Sequence, residues 1–367
     1  MRLLPINMCQ PGMRLHQNIY SADGVILLAE NVELTEHLIK RLQTHGITNI
    51  YVQDHRTDDI EIHEPLRMET KAKVLVEIRS SFRKMMYDTN SDNRHTYSFL
   101  GKKFREVFSL ILDDISDHRE AMSLITNICV MDSHLYQHSM NVCVYTSLLG
   151  IAQGYSREEL YSLGLGSLLH DVGKVKIPKE ILFKPGKLTD EEFKEIQKHT
   201  TYGFKMLKDE ANIPLISAHC AFQHHERMNG SGYPRGIGGD DIHEYAQWIG
   251  IVDSFDAMTS QRVYRQAKLP HYALDILMAD AGTLYDKQKV EVFRNKIAIY
   301  PIGMTVALST GEVGVVVDLN NDYLHRPIVR ILQDQDGQDL HAPYEIDLSK
   351  HLSLMVTEVN PTSGKMA

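Results

Sequence analysis

Residues 224–234 restrict the possible folds more than any other segment, and they read His-His-Glu-Arg-Met-Asn-Gly-Ser-Gly-Tyr-Pro. Two adjacent imidazoles can serve two neighbouring metal ions, and the glycine-rich end followed by proline predicts a loop. Adjacent histidines are weak evidence on their own. The chain also holds ligand-type residues at domain-scale spacings: His138, His170, Asp171, His199 and Asp253. This set indicates a metallohydrolase in which distant segments meet at one centre.

Length and charge limit the classes of function. The 367 residues are enough for two or three domains. A formal net charge of -9 argues against broad nucleic-acid binding, because a polyanionic partner needs a basic surface. A small anionic ligand is compatible with this charge if bound metal ions concentrate positive charge locally. We therefore expect no nucleic-acid polymer as a partner.

The cysteines and the N-terminus predict a cytoplasmic protein. No C-x-x-C pair occurs, and each cysteine lies within or beside an apolar stretch: Cys9, Cys129, Cys143 and Cys220. Small buried thiols in a reducing compartment are the simplest interpretation. Residues 1–5 begin no apolar signal region, and no run of about 18 apolar residues occurs, so we expect no membrane span.

Residues 1–60 are predicted to form a small α/β unit with a docking or regulatory role. Asp23-Gly24 is a hairpin turn signal between two strand-like segments. Thr35 can cap a helix, and residues 47–52 read as a further strand. No catalytic constellation is visible in this unit.

Residues 61–127 are predicted to be a helical connector. Leu75, Ile78, Phe82 and Met85 recur at spacings of three and four, which gives the helix one apolar face. This face either packs inside the chain or, as the sharper alternative, forms a dimerising helix, although the stripe is short for a coiled coil. A homodimer is therefore a reasonable expectation.

The fold class is predicted to be mainly α, because helical signals dominate residues 128–300. Two segments that begin at Ser156 and Thr189 fit the capping-box pattern, with Glu three residues later. After residue 300 the pattern changes to strands, as in the alternating valines of residues 313–317. We read residues 301–367 as a small β-rich appendage and tail.

The separated ligand-type residues are informative only as a set. His170-Asp171 would project about 100° apart on a helix, which suits binding one metal and bridging to a second. His138 lies in a predicted helix, and His199 is predicted to end another. Asp253 follows an apolar run, where a buried carboxylate requires a partner or a cation. Each histidine alone is more often a core or surface residue, so their conjunction carries the prediction.

Three ordered motifs carry a family resemblance. They are His170-Asp171-Val172-Gly173-Lys174, the run at residues 224–234, and Asp253-Ser254-Phe255-Asp256-Ala257-Met258-Thr259-Ser260. Together they resemble the HD-GYP family of cyclic dinucleotide phosphodiesterases over roughly residues 125–298. The resemblance implies an all-helical HD-type catalytic domain. It also implies hydrolysis of cyclic di-GMP to pGpG, with GMP as an open further product, through a metal-bridging hydroxide at a dinuclear centre.

The resemblance also implies roles for individual residues at the positions of the family's motifs. The implied metal ligands, with Asp171 as the bridging carboxylate, are His138, His170, Asp171, His199, His224, His225 and Asp253. Lys174 matches the family's lysine beside the metals. Three further residues match positions associated with the cyclic dinucleotide and its phosphates: Tyr233, Arg262 and Arg265.

Elementary chemistry supports these roles. A phosphodiester repels an anionic nucleophile, and two cations reduce that repulsion, lower the pKa of a bridging water and stabilise the transition state. Lys174 would reach the face of Asp171 if the helix continues. Arg262 and Arg265 suit bidentate phosphate contacts, with a solvated helix face as the plainer alternative. The Tyr233 ring suits stacking on guanine, with loop packing as its plainer role.

One ligand position departs from the family pattern. Some relatives carry a Glu four residues before the first histidine ligand, where it serves a third metal, and this chain has His134 there. His134 would share a helical face with His138, but replacing a carboxylate removes the negative charge that holds a hard cation. We therefore expect two transition-metal ions, iron or manganese, with a third ion at His134 as the alternative.

Two alternatives to a cyclic di-GMP phosphodiesterase stay open. The substrate can be another cyclic dinucleotide, such as cyclic GMP-AMP, because base discrimination depends on a pocket that motifs do not define. The chain can also be a non-catalytic cyclic di-GMP-binding signalling scaffold. The intact ligand set argues against the scaffold, because a pure receptor has no need of seven metal ligands.

Overall fold

The structure, a computed structural model, describes residues 1–20, 25–44, 47, 49–60, 66–87, 98–116, 122–123, 134–260, 268, 270–320 and 323–361. Its helices are α1 (Glu36–Thr44), α2 (Met68–Tyr87), α3 (Ser98–Ser116), α4 (His134–Ala152), α5 (Arg157–Leu169), α6 (Lys179–Leu182), α7 (Asp190–Gln197), α8 (His199–Leu207), α9 (Leu215–Gln223), α10 (Glu244–Thr259), α11 (Pro270–Ala279) and α12 (Lys287–Lys296). Its strands are β1 (Arg2–Pro5), β2 (Ile19–Tyr20), β3 (Ile26–Leu28), β4 (Asn49–Val52), β5 (Met122–Ser123), β6 (Ile297–Ala298), β7 (Thr305–Leu308), β8 (Val313–Asp318), β9 (Ile328–Gln333), β10 (Asp339–Asp347) and β11 (Val356–Val359). The predicted mainly α fold class is confirmed. Within these ranges, no helix combines the length and apolarity that a membrane crossing requires.

One compact unit, formed by Leu66–Arg119 and Ser133–Arg294, contains all the predicted ligands. Helix α4 packs against α5 and α10, and α9 packs against α5 and α8. Residues 136–150 of α4 are all buried, as expected of a helix that is apolar around its circumference. A Cβ atom on Gly166 would lie 2.9 Å from Cβ of Cys220, so glycine at this position lets α5 and α9 approach closely. Their C-terminal ends therefore meet.

Both predicted capping boxes are confirmed. Ser156 accepts a hydrogen bond from the backbone N–H of Glu159, whose carboxylate accepts one from the backbone N–H of Ser156. Thr189 and Glu192 form the same reciprocal pair at the start of α7. Each box satisfies N–H groups that the first turn of a helix leaves unpaired.

The apolar face of α2 packs inside the chain. Leu75, Ile78, Phe82 and Met85 are all buried. The ring centroid of Phe82 lies 6.2 Å from that of Phe104 in α3. This confirms the intramolecular interpretation and removes this face as a dimer surface. The homodimer itself stays a prediction.

The second compact unit combines Met1–Pro65, Glu120–Asp132 and Asn295–Ala367. In its N-terminal part, β1 pairs with β4 and β2 pairs with β3, both antiparallel. Thr35 accepts a hydrogen bond from the backbone N–H of Leu38, which confirms the predicted cap of α1. The predicted turn at Asp23-Gly24 lies outside the described residues.

The C-terminal part of this unit is an antiparallel sheet with strand order β10-β9-β8-β7-β11, so the predicted β-rich appendage is confirmed. It packs against residues 1–60. The backbone N–H of Leu3 donates to the carbonyl of Gly303 at 2.7 Å, and Arg330 forms two hydrogen bonds with the Asp59 carboxylate at 2.6 and 2.7 Å. The sequence pattern gave no sign of this association.

The predicted buried thiols are found at three positions. Cys9, Cys143 and Cys220 are free and buried, and burial raises the pKa of Cys143 and of Cys9 to about 12. Thiols with such a pKa are inert at neutral pH. Cys129 lies outside the described residues.

Phe82→Ala should lower the free energy of unfolding by about 3–5 kcal/mol, because it removes a fully buried ring from the core. Thermal unfolding at two protein concentrations provides the measurement, and the loss should be the same at both. Lys73→Ala, on an exposed position of the same helix, is the matched control and should change little. A loss that appears only as dissociation of a dimer would contradict the intramolecular packing.

Candidate metal centre

The fold brings all seven predicted ligands to one place, mostly at helix ends. His138 lies in the first turns of α4 and Asp253 in the middle of α10. The others stand where helices end or begin: His170 and Asp171 after α5, His199 at the start of α8, and His224 and His225 after α9. All seven are buried except His225, which is partly buried.

One local expectation about these segments is wrong. His199 does not end the preceding helix: α7 ends at Gln197, and His199 begins α8. The condition set for Lys174, that the α-helix continues through Asp171, is not met. Residues 172–176 form a 3₁₀ turn, in which side chains three residues apart lie directly above one another. This geometry places Nζ of Lys174 2.5 Å from Oδ2 of Asp171.

The Asp171 carboxylate lies at the centre of the cluster and faces two sets of imidazoles. Its Oδ1 atom is 3.4 Å from Nε2 of His199 and 3.9 Å from Nε2 of His224. Its Oδ2 atom is 3.4 Å from Nε2 of His170 and 3.7 Å from Nε2 of His138. Each oxygen therefore has its own pair of nitrogen donors, which is the arrangement a bridging carboxylate requires.

Asp253 also contacts one imidazole on each side of the cluster. Its Oδ1 atom lies 3.1 Å from Nε2 of His138, and its Oδ2 atom lies 3.8 Å from Nδ1 of His225. The contact with His138 lacks hydrogen-bond geometry. Two buried carboxylates in one cluster of histidines need positive charge close by.

Unpartnered buried atoms show that the cluster fits divalent cations. Among the described residues, Nε2 of His138, Nε2 of His170 and Oδ1 of Asp171 are buried without a hydrogen-bond partner. Leaving such groups unpaired costs about 1–3 kcal/mol each. Imidazole and carboxylate ligands without a thiolate suit iron, manganese or zinc. The buried His/Asp cluster is therefore compatible with a divalent metal site.

The backbone sets the orientation of three of these imidazoles. In each, Nδ1 faces a carbonyl three residues earlier: His170 to Ser167 at 2.7 Å, His199 to Ile196 at 2.7 Å, and His224 to Ala221 at 3.1 Å. A carbonyl oxygen only accepts, so Nδ1 carries the hydrogen and the lone pair lies on Nε2. All three lone pairs therefore belong to the nitrogens that face Asp171.

Protonation differs across the cluster. Burial lowers the pKa of three imidazoles: His199 to about 4, and His224 and His225 well below the usual range. Burial acts the same way on His138, but the carboxylates of Asp253 and Asp256 outweigh it and raise its pKa to about 9. Without metal at neutral pH, His138 is therefore protonated while these three are neutral.

Asp171 stays ionised although it is buried. Burial raises the pKa of this carboxyl group, but the ammonium of Lys174 and the adjacent imidazole of His170 outweigh burial and hold the pKa well below its usual range. An ionised carboxylate is the form that binds cations.

The loop after His225 folds back over the histidine pair. The Tyr233 ring stacks on His225 with centroids 4.7 Å apart, and a Cβ atom on Gly232 would lie 2.4 Å from the His225 carbonyl oxygen. The buried Glu226 carboxylate accepts hydrogen bonds from the backbone N–H groups of Arg235 and Ile237 at 2.8 and 3.1 Å. The sequence predicted this loop but not the structural role of Glu226.

Three predicted residues have no described side chain. Arg262 and Arg265 lie outside the described residues. His134 begins α4, but its side chain is outside the described part of the chain. Their predicted roles stay predictions.

Comparisons with known proteins define the class. Residues 123–288 match the HD domain family, and residues 305–363 match the KOW domain associated with HD domain. The resemblance to the HD-GYP family is confirmed, and residues 123–288 belong to an HD domain. It spans about half the length of the two curated relatives named first below.

The curated relatives of this chain include proteins named as phosphodiesterases. A cyclic di-GMP phosphodiesterase of Pseudomonas aeruginosa is 33% identical over 60% of this chain and 54% of its own length. A cyclic di-GMP phosphodiesterase of Thermotoga maritima is 35% identical over 53% of this chain and 52% of its own. A 3'3'-cGAMP-specific phosphodiesterase of Vibrio cholerae is 34% identical over 45% of this chain and 35% of its own.

Metal binding should release a proton from His138 at neutral pH. With a pKa of about 9, its imidazolium must lose a proton before Nε2 can bind a cation, so affinity should rise with pH towards about 9. Below that pH the change should be about tenfold per unit. Calorimetric Mn²⁺ titration in buffers of different ionisation enthalpy measures the release.

His37→Gln is the control for this titration, because His37 is exposed on α1 and should leave the proton release unchanged. His138→Gln should abolish it. A binding enthalpy that is the same in every buffer would contradict the proposed state of His138.

Proposed function

We propose that this chain is a metal-dependent phosphodiesterase that hydrolyses cyclic di-GMP to pGpG. The observation that carries the proposal is the Asp171 carboxylate, whose two oxygens each face a separate pair of imidazoles inside an HD domain. Curated relatives named as cyclic di-GMP phosphodiesterases support the substrate class. Further cleavage of pGpG to GMP stays open as a second step of the same proposal.

The proposed centre has two metal positions that share Asp171. His138 and His170 belong to the Oδ2 side, and His199 and His224 to the Oδ1 side. Asp253 and His225 complete the ligand set, and the Asp253 carboxylate faces both His138 and His225. Iron or manganese fits these ligands. The alternative is three metal ions per chain, with the third bound at His134.

Bound ions would reduce the charge repulsion between a phosphodiester and its anionic nucleophile. They would also lower the pKa of a bound water molecule. Lys174 adds a cationic group at the same place. Its Nζ atom pairs with Asp171, and 19% of its side chain is exposed, so Lys174 lies at the edge of the cluster and is not enclosed in it. We assign to it contact with a phosphate oxygen or the leaving oxygen.

Aromatic rings beside the cluster suit a purine base. The Tyr233 ring covers His225, and Phe193 meets Tyr233 edge to face with centroids 6.4 Å apart. Phe193 is 48% exposed, which is unusual for a phenyl ring. We assign to Tyr233 stacking with a guanine base, and to Arg262 and Arg265 contact with the phosphates.

Asp171→Ala should abolish metal loading and lower kcat/KM for cyclic di-GMP by at least about a thousandfold, because both metal positions lose their shared ligand. The measurement is chromatographic detection of pGpG formed by anaerobically purified, Fe²⁺- or Mn²⁺-loaded protein. Asp209→Asn changes an exposed carboxylate beside Lys208 and should leave turnover unchanged.

Full activity of an Asp171→Ala protein with verified metal content would contradict the mechanism. Binding of cyclic di-GMP by metal-loaded wild-type protein without any turnover would favour the signalling scaffold instead.

A second substrate is favoured by a specific observation. The relatives named as 3'3'-cGAMP-specific phosphodiesterases are 34–36% identical to this chain, as similar as two of those named for cyclic di-GMP, at 33% and 35%. Parallel assays with both nucleotides separate the two substrates. If kcat/KM is higher for cyclic GMP-AMP, that nucleotide becomes the proposed substrate, and the proposed reaction class is unchanged.

A further inference from the structure

His138 differs from His170, His199 and His224 in what its outer nitrogen contacts. Those three imidazoles donate Nδ1–H to backbone carbonyls. Nδ1 of His138 instead lies 2.7 Å from Oδ2 of Asp256, a carboxylate on α10. A carboxylate is a stronger acceptor than a carbonyl, so this contact fixes the ring more firmly.

Asp256 is itself held in place. It is only 3% exposed, its Oδ1 atom accepts a hydrogen bond from Asn141 at 2.8 Å, and its Oδ2 atom accepts one from Ser260 at 3.2 Å. Gln137 donates to the Asn141 side-chain oxygen at 2.7 Å. A buried network with each member hydrogen-bonded keeps the carboxylate in a single orientation.

The network determines which way His138 points. Asp256 accepts the Nδ1–H hydrogen bond, so Nε2 faces inwards, where it lies 3.1 Å from Asp253 and 3.7 Å from Asp171 and can bind a cation once it loses its proton. Asp253 and Asp256 are three residues apart on α10 and so project from the same face of the helix. One helix therefore supplies a proposed metal ligand and the support for a second ligand.

We propose that Asp256 is a positioning residue that fixes the ring and tautomer of His138 and thereby sets the affinity of the metal position formed by His138, His170 and Asp171. The negative charge beside Nδ1 makes Nε2 a better donor to a cation. The position formed by His199, His224 and His225 does not use this support. The inference rests on the proposed metal-dependent function, because it requires His138 to bind an ion.

A purely structural role predicts a different result. If Asp256 only tied α10 to α4, its loss would lower stability and affect both metal positions or neither. A positioning role predicts a selective change at one position.

The test is titration of the metal-free full chain with Mn²⁺, with free Mn²⁺ followed by electron paramagnetic resonance. Wild-type protein should bind two ions tightly. Asp256→Asn should keep one tight site and weaken the other by about 10- to 100-fold. The asparagine oxygen can still accept from Nδ1–H, so Asp256→Ala should weaken the same site further.

Asp114→Asn is the matched control. Asp114 is also a buried aspartate on a helix, and its carboxylate binds Arg67 at 2.5 Å. The substitution should lower the melting temperature without changing either Mn²⁺ step. If the Asp256 variants fail to fold, Asn141→Leu removes one hydrogen bond from Asp256 and should weaken the same site by a smaller factor.

Two unchanged Mn²⁺ steps in folded Asp256→Asn, or equal weakening of both, would overturn the inference. In the Asn141→Leu protein, two unchanged steps would overturn it as well. The Mn²⁺ titration contains no nucleotide. A result that overturns the role of Asp256 can therefore be distinguished from a result that overturns the proposed hydrolysis. Wild-type protein that binds two Mn²⁺ ions without hydrolysing cyclic dinucleotides would defeat the function and leave the inference standing. Wild-type protein that binds fewer than two ions would contradict both.

Discussion

The shared carboxylate of Asp171 is the interaction on which the rest of the helical unit depends. A buried, ionised carboxylate is costly unless positive charge compensates it. Here Lys174 approaches one oxygen to 2.5 Å, and four imidazoles lie 3.4–3.9 Å from the two oxygens. The neutral imidazoles of His199 and His224 do not cancel the charge, so the arrangement becomes more favourable when cations occupy the cluster.

The helix packing follows from the need to bring ligands to this carboxylate. Gly166 permits the close approach of α5 and α9, which places the residues after both helices side by side. The 3₁₀ turn after Asp171 then aims Lys174 back at it. A Cβ atom on Gly173 would lie 1.9 Å from the His199 carbonyl oxygen, so this turn and the start of α8 also pack without room for a side chain.

Much of the centre was predictable because its motifs are short and local. The histidine pair, His170-Asp171 and the capping boxes are read from neighbouring residues. The sequence could not place His199 at a helix start, because helix boundaries depend on how α7 and α8 pack. The association of residues 1–60 with residues 301–361 depends on contacts between distant segments, which no local pattern encodes. Asp256 was within reach, since it follows Asp253 by three residues on one helix.

Some expectations stay predictions. The phosphate contacts of Arg262 and Arg265, the third ion at His134, the homodimer and the cytoplasmic location rest on sequence alone. The docking or regulatory role of residues 1–60 also rests on sequence alone.

Metal content per chain tests the central claim most directly. Protein purified under anaerobic conditions should contain two transition-metal ions per chain by elemental analysis, because the two oxygens of Asp171 face two separate sets of donors. A content of three would support the alternative at His134. Absence of any transition metal in folded protein, with none taken up on addition of Fe²⁺ or Mn²⁺, would contradict the account.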